Sequence, residues 1–319
     1  MLSRRALIYM GERLVLIAFT AVAVSSLVFV GVHQLPGNAF LSDRRIDPAA
    51  LAEIMHHYHL DLPLFDQYKL FVAGIFHGDL GESLVQRGTP ITPLLLREAT
   101  VSAEVGGIAL VFTIGLGMVL GVIAAIRHNT WVDYLATATS VIGYSIPNFV
   151  IASVLVLFFA VYLYNWTGGA LYYEVGWEGT YGTIGQIFVP AFALGFPYAS
   201  IVARLTRASM LEVLKQDYVR TARAKGLNDR IVIVRHALRN ALIPVVTILG
   251  PLTIGIITGS VVIENIFGIP GLGKEFVQSI LSRDYNIVIG VFTFYAALVG
   301  LANLAVDVIY PVLDPRIRY

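Results

Sequence analysis

The chain has 319 residues, of which 57% are hydrophobic and 13% charged, against roughly 25% charged residues in an ordinary soluble domain. The apolar residues stand in long blocks instead of alternating at helical or strand spacing, which excludes a water-soluble fold for most of the chain. The formal net charge of +1 indicates no nucleic-acid partner, and the absence of cysteine removes disulfide frameworks and thiolate metal sites.

A hydrocarbon core about 30 Å thick is crossed by about 20 helical residues. Six runs meet that length: Leu14 to Leu35, Val101 to Ile126, Tyr134 to Tyr164, Ile184 to Ala203, Ala241 to Ile263 and Ile287 to Val312. Lipid offers backbone groups no hydrogen-bond partner, and the runs lack the alternation of an outer-membrane barrel. The expected fold is all-α, a polytopic membrane protein with about six transmembrane helices. Arg4, Arg5 and Arg13 before the first run can also mark a secretory signal. That run is too long for a signal core, and its exit, Val32 to Gly37, has no small-x-small cleavage site, so it reads as an uncleaved first helix.

After the first run, Pro36 to Glu98 is the one substantially polar extracytoplasmic stretch, interrupted by prolines and glycines that predict short helices and turns. Asp47 and Pro48 make a helix start, with Leu51, Ile54, Met55 and Tyr58 following at amphipathic spacing. His56, His57 and His59 point in divergent directions on such a helix and read as a solvated face, not a metal site.

Within the spans, Gly117 with Gly121 and Gly255 with Gly259 have the spacing that lets backbones approach, in helix packing or at a subunit interface. Pro147, beside Asn148, and Pro197 and Pro251 are expected to kink or interrupt their helices, as a passage or plain tilt requires. Glu104 and Asp307 are charges at or within spans, where charge is costly. Glu104 is read as lining a passage or as structural, and Asp307 as a structural partner of an inner arginine.

With the amino terminus inside, fifteen Lys and Arg residues fall on the inner side and seven outside, as the positive-inside rule requires. Both termini are then cytoplasmic. Nine of the basic residues lie between Arg204 and Arg239, in a loop too long for a connector. Leu211, Leu214, Tyr218 and Ala222 recur there as an apolar stripe with Lys215, Arg220, Arg223 and Lys225 around it. Gly226 can end that helix, and Asn228 or Asp229 can cap a following one that carries Arg235 and Arg239. The prediction is a helix-glycine-helix elbow in the cytoplasm.

The segment Asp217-Tyr218-Val219-Arg220-Thr221-Ala222-Arg223-Ala224-Lys225-Gly226-Leu227, followed by Arg235 to Pro244, resembles the cytoplasmic signature of dipeptide and oligopeptide permeases. These belong to the type I ABC importers, whose general motif has the form E-A-A-x-x-x-G. Arg220, Thr221 and Ala222 stand at the E-A-A positions, and only Ala222 matches literally. Which acid replaces the missing Glu, Asp217 for instance, stays open. His77 to Ser83, Glu264 to Gly273 and Leu313 to Arg318 also resemble family elements, so the resemblance covers nearly the whole chain.

The resemblance implies a type I importer permease fold: residues 1–97 as a first helix plus extracytoplasmic segment, 98–313 as the permease domain with its coupling loop at about 204–241, and 314–319 as a cytoplasmic tail. It further implies a non-catalytic subunit in a bacterial or archaeal plasma membrane. Such a subunit pairs with a homologous second permease, binds two ATP-hydrolysing subunits through Asp217 to Gly226, and receives cargo from an extracytoplasmic peptide-binding protein. ATP and magnesium then sit on partner subunits, with no cofactor on this chain. Nickel chelates, glutathione and glycosides remain alternative cargoes.

Gly268 to Glu275 nearly spells a phosphate loop, but Glu275 stands where the magnesium-binding hydroxyl belongs and Pro270 removes a backbone donor. No nucleotide site is expected there. An ion-coupled secondary transporter would want inverted repeats and a run of buried ionisable residues, and the sequence presents neither. An intramembrane hydrolase would want a nucleophile and base, which are equally missing.

Overall fold

The computed structural model describes residues 4–34, 48–171, 173–179 and 182–313, and every regular element among them is helical. In chain order these are α1 (Arg4–His33), α2 (Pro48–His57), α3 (Leu64–His77), α4 (Ile91–Ile126), α5 (Trp131–Ser145) and α6 (Asn148–Val156). A π-helical stretch over Leu157–Tyr162 leads into α7 (Leu163–Thr167), then α8 (Ile184–Val213) and α9 (Asp217–Ala224). Next come α10 (Asp229–Ile231), a second π-helical stretch over Val232–Leu238, and α11 (Arg239–Ala241). The chain continues with α12 (Ile243–Ile257), α13 (Val261–Phe267), α14 (Leu272–Leu281) and α15 (Tyr285–Leu313).

Among the described residues, five helices are long and apolar enough to cross a membrane, or six when Asp229–Ala241 and Ile243–Ile257, bent by 53°, count as one crossing. The helices outrun the apolar blocks from which they were predicted. The second begins at Ile91 and takes in Arg97 and Glu98, and the fourth continues past Ala203 to Val213, because a helix need not stop where lipid does.

The third run is two helices. Ile146 adopts extended backbone (φ −86°, ψ 126°) ahead of Pro147, which disfavours the helical region for its predecessor, and α6 starts afresh at Asn148. Pro197 and Pro251, by contrast, lie inside uninterrupted helices. The fifth run was expected to reach Ile263, but α12 stops at Ile257. Gly259 takes a left-handed φ of +86° and Ser260 caps α13, accepting from the Ile263 amide. Leu35, Asp47, and the terminal motif beyond Leu313 fall outside the described residues.

The chain divides into two compact units, one formed by residues up to Thr100 with Pro270–Ala305, the other chiefly by Val101–Ile269. In the first, Ile91, Leu94 and Leu95 of α4 bury against Leu272, Ile287 and Val291. Helix α1 joins through Phe29 and Val32 on Val288 and Ile289, and through a hydroxyl pair, Ser25 with Thr293 at 2.6 Å. Helix α2 is amphipathic as expected, with Leu51, Ile54, Met55 and Tyr58 half-buried. His56 bonds Asp61 at 2.9 Å and His57 lies 3.5 Å from Glu82.

In the second unit α8 is the central element. A Cβ added to Gly117 would lie 2.6 Å from the Val202 Cβ, and one on Gly121 2.5 Å from the Ala203 carbonyl. These two glycines therefore set the close approach of α4 to α8 within this subunit. Gly255 meets nothing closer than the Tyr198 hydroxyl at 3.9 Å, whereas a Cβ on Gly259 would run into the Glu264 carboxylate and lie 3.0 Å from the Ser102 hydroxyl of α4, so only one member of the second pair makes a close approach.

Candidate functional site

The basic loop folds into the elbow that its pattern predicts. Val219 is fully buried and Ala222 nearly so, packed with Val232 of the second π-helical stretch against Val213 and Leu214. The predicted stripe needs one correction. Tyr218 is 42% exposed, and its neighbour Val219 takes the core position, because α8 ends at Val213 and the intervening turn shifts the helical register.

At the tip, α9 ends on Lys225, and Gly226 follows at φ +77°. The Gly226 amide reaches the Arg223 carbonyl (2.9 Å) and the Leu227 amide the Ala222 carbonyl (3.4 Å), which satisfies carbonyls that a helix end leaves open. Asn228 then accepts from the Arg230 amide at 2.9 Å and starts the returning helix. Two side-chain contacts clasp the elbow. Asn240 donates to the Tyr218 hydroxyl at 2.8 Å, and Arg223 donates to Asp229 at 3.3 Å across the glycine turn. Arg220 pairs with Asp217 one turn back at 3.5 Å.

Asp217, Tyr218, Arg220, Thr221, Arg223, Ala224, Lys225 and Gly226 are all exposed, and of the predicted group only Ala222 turns inward. Leu227, Ile231 and Val234 are exposed beside them. The outer face of the elbow is thus a mixed apolar and cationic surface on a packed base, suited to meeting a protein. Exposed ion pairs of this kind contribute at most about 1 kcal/mol each, so the buried trio and the caps hold the shape.

The predicted pathway residues fall on α4, at the break between α5 and α6, on α8 and on α12. Glu104 on α4 is partly exposed, with one carboxylate oxygen buried and making no hydrogen bond. Pro147 and Pro251 are exposed, Asn148 and Pro197 half-buried. The phosphate-loop lookalike is a helix end and a helix start: Gly268 caps α13 at φ +70° and Gly271 precedes α14, whose Leu272, Gly273 and Glu275 are buried. Burial pushes the Glu275 carboxyl above the ordinary glutamate range, aided by the Asp284 charge, while a bond to Glu98 and the charges of Arg97 and Lys274 act against it.

Four buried acids, Glu98, Asp133, Glu264 and Asp284, were not singled out from the sequence as such. Asp133 is held by Arg207, Glu264 accepts from Ser102 at 2.8 Å beside the Gly259 break, and Asp284 binds the Ser83 loop. A carboxylate inside a largely apolar chain is the signal that could have found them.

Long apolar helices, broken once by proline and once by glycine, with one folded basic elbow between two of them, define a polytopic helical membrane subunit. A family model described as "Binding-protein-dependent transport system inner membrane component" matches residues 117–319. The dipeptide transport system permease protein DppB of Bacillus subtilis is 43% identical over 97% of this chain and 97% of its own. The oligopeptide transport system permease protein OppB of Escherichia coli K12 is 41% identical over 91% and 92%. The fold resembles that of the inward-facing MetNI methionine ABC transporter (TM-score 0.55, 19% identity, 69% of this chain and 96% of that one). The chain belongs to the family of inner-membrane components of binding-protein-dependent transport systems, and is a non-catalytic permease subunit of an ABC transporter.

Proposed function

We propose that this permease forms half of the passage of an ATP-driven importer of di- and oligopeptides, and that the elbow from Asp217 to Gly226 receives an ATP-hydrolysing partner. The cargo reading draws on relatives named for dipeptide and oligopeptide transport that align over more than nine-tenths of the chain. The observation that carries the coupling reading is the elbow itself: an exposed cationic and apolar surface on a packed base that α8 supports from behind. Switching a two-state gate from 1:99 to 99:1 takes about 5.5 kcal/mol, more than one surface ion pair supplies. A packed base lets the whole elbow bear that load as one rigid piece.

In this reading both termini are cytoplasmic, a homologous permease completes the passage, two ATP-binding subunits carry ATP and magnesium, and an extracytoplasmic binding protein delivers peptide. Residues 1–97 are the first helix with its extracytoplasmic segment, 98–313 the permease domain and 314–319 a tail. Glu104, Pro147, Asn148, Pro197 and Pro251 are the residues assigned to the passage.

The natural chain has no cysteine, so single cysteines can report on position. Arg223→Cys and Lys225→Cys should crosslink to an ATPase subunit from the cytoplasmic side and lose that crosslink when uptake is driven through its ATP cycle. Labelling of both positions only from outside, or no ATPase crosslink in any nucleotide state, would reject the coupling role. Labelled dipeptide uptake into proteoliposomes that proceeds equally without ATP would reject the ATP-driven reading.

A further inference from the structure

One buried carboxylate joins α5 to α8. Asp133, in the first turn of α5, is 1% exposed and accepts from Arg207 of α8 twice, from Nε at 2.6 Å and from the adjoining terminal nitrogen at 2.8 Å. The Asn129 amide at 3.0 Å and the Thr137 hydroxyl at 3.4 Å also donate to it, and His128 Nδ1 lies 3.2 Å away. A guanidinium that meets both carboxylate oxygens fixes orientation as well as distance, which a single point charge does not. Further along the same two helices, Gly143 of α5 packs against Ser200 and Phe196 of α8 too closely to admit a Cβ.

Helix α8 also seats the elbow. One turn past Arg207, Met210 is fully buried with Ala125, Ala237 and Ala241. Leu214, just beyond the helix, packs against both that group and the Val219, Ala222 and Val232 core. The same rod therefore supports α9 at its end and grips α5 six residues before that end. Helix α5 in turn leads to the Pro147 break, where the chain has no helical bonding to carry motion further.

We propose that the Asp133–Arg207 pair is a positioning contact for transport, obliging α5 to move as one body with α8 whenever an ATPase displaces the elbow. The inference rests on the coupling role proposed for the elbow. A pair that merely stabilised the fold would change how much transporter assembles. A pair that transmits motion also changes how much ATP is hydrolysed for each peptide moved.

The test uses the complete transporter with its binding protein in proteoliposomes. Arg207→Lys keeps the charge and loses the fork, and Asp133→Asn keeps the shape and loses the charge. Both should assemble, and both should raise ATP hydrolysed per peptide imported on the order of tenfold, within the usual range of allosteric coupling. Spin labels on Trp131→Cys and Ala208→Cys, both exposed, give the second readout. Their separation should be one narrow distance with and without trapped nucleotide in the otherwise natural chain, and should split in the two variants. An unchanged ATP-to-peptide ratio in an assembled variant overturns the proposal, as does a label distance that changes during the cycle of the natural pair. Should neither variant assemble, that last measurement decides alone. A natural complex whose ATPase ignores peptide rejects the elbow's coupling role. Normal coupling with unaffected variants rejects only the joint.

Discussion

The Ser83 hydroxyl donates to the Asp284 carboxylate at 2.5 Å, joining a glycine-rich loop to the start of α15 across 201 positions of sequence. The same carboxylate accepts from the amides of Leu84 (3.2 Å) and Val85 (3.1 Å), and from Ile287 (3.3 Å) as the N-cap of α15. Tyr58 donates to the Ser83 carbonyl at 3.1 Å and Asn286 to the Glu82 carbonyl at 3.0 Å, so the loop is held from the turn after α2 as well.

Asp284→Ala leaves a hydroxyl and three amides without their acceptor, at about 1–3 kcal/mol for each that water does not reach. The midpoint of thermal unfolding in detergent should fall by about 4 °C or more. Ser83→Ala removes one donor to Asp284 and the acceptor of the Gln86 amide (2.7 Å) but leaves the three amide bonds to Asp284, so its effect should be smaller. Equal losses in the two variants would show that the hydroxyl, not the N-cap and loop amides, dominates the junction.

Gly226 sits at φ +77° with nothing within 4 Å of where a Cβ would stand, so the demand on this position is conformational and not steric. Gly226→Val meets the left-handed penalty, of order 1–3 kcal/mol, whereas Gly226→Asn enters that region readily. Uptake should fall at least severalfold in the valine variant and stay near normal in the asparagine variant, with equal membrane insertion and continuing ATP hydrolysis. Reversing charge at Arg220 together with Arg223 should also uncouple uptake from hydrolysis. Normal uptake in both the valine and the charge-reversed chains would separate the elbow from transport.

The Gly117 and Gly121 contacts make a sharper packing prediction because Gly115, two positions away, faces open space. Gly115→Ala should be silent. Gly121→Ala places a methyl 2.5 Å from the Ala203 carbonyl, a backbone atom that cannot turn aside, and Gly117→Ala meets the Val202 side chain at 2.6 Å. Each should lower stability by about 1–3 kcal/mol through overpacking, read as yield and unfolding midpoint of the purified complex.

What was legible in the sequence is what local chemistry dictates. Apolar runs long enough for lipid gave the spans, the apolar spacing from Leu51 to Tyr58 gave α2, and Gly226 with Asn228 gave the elbow. Pairing between distant positions leaves no local period. Asp133 and Arg207 are 74 positions apart, and Ser83 and Asp284 are 201, so both joints stayed hidden although each acid lies beside or within an apolar span. The same limit explains Tyr218. A three-residue turn between α8 and α9 resets the register, so a stripe extended from Leu211 names the wrong neighbour, and Val219 proves to be the buried one.

Glu275 ties the Asp284 junction to pH. Burial and the Asp284 charge raise its affinity for a proton in the folded state, so the folded chain binds more protons than the unfolded one across the window above the ordinary glutamate range. Where the folded state binds more protons, stability falls as pH rises. The contribution from Glu275 is fully present below its unfolded value and is lost as pH climbs through the raised folded value. Glu275→Gln cannot ionise and should flatten that part of the profile, leaving the unfolding midpoint at neutral pH equal to or above that of the natural chain. Because the Asp284 charge is one of the two causes, Asp284→Asn should narrow the window by bringing the Glu275 value down. Unfolding midpoints of the three chains measured from acidic to neutral pH decide this. A natural chain and a Glu275→Gln chain with parallel profiles would show that this carboxyl titrates alike in the folded and unfolded states.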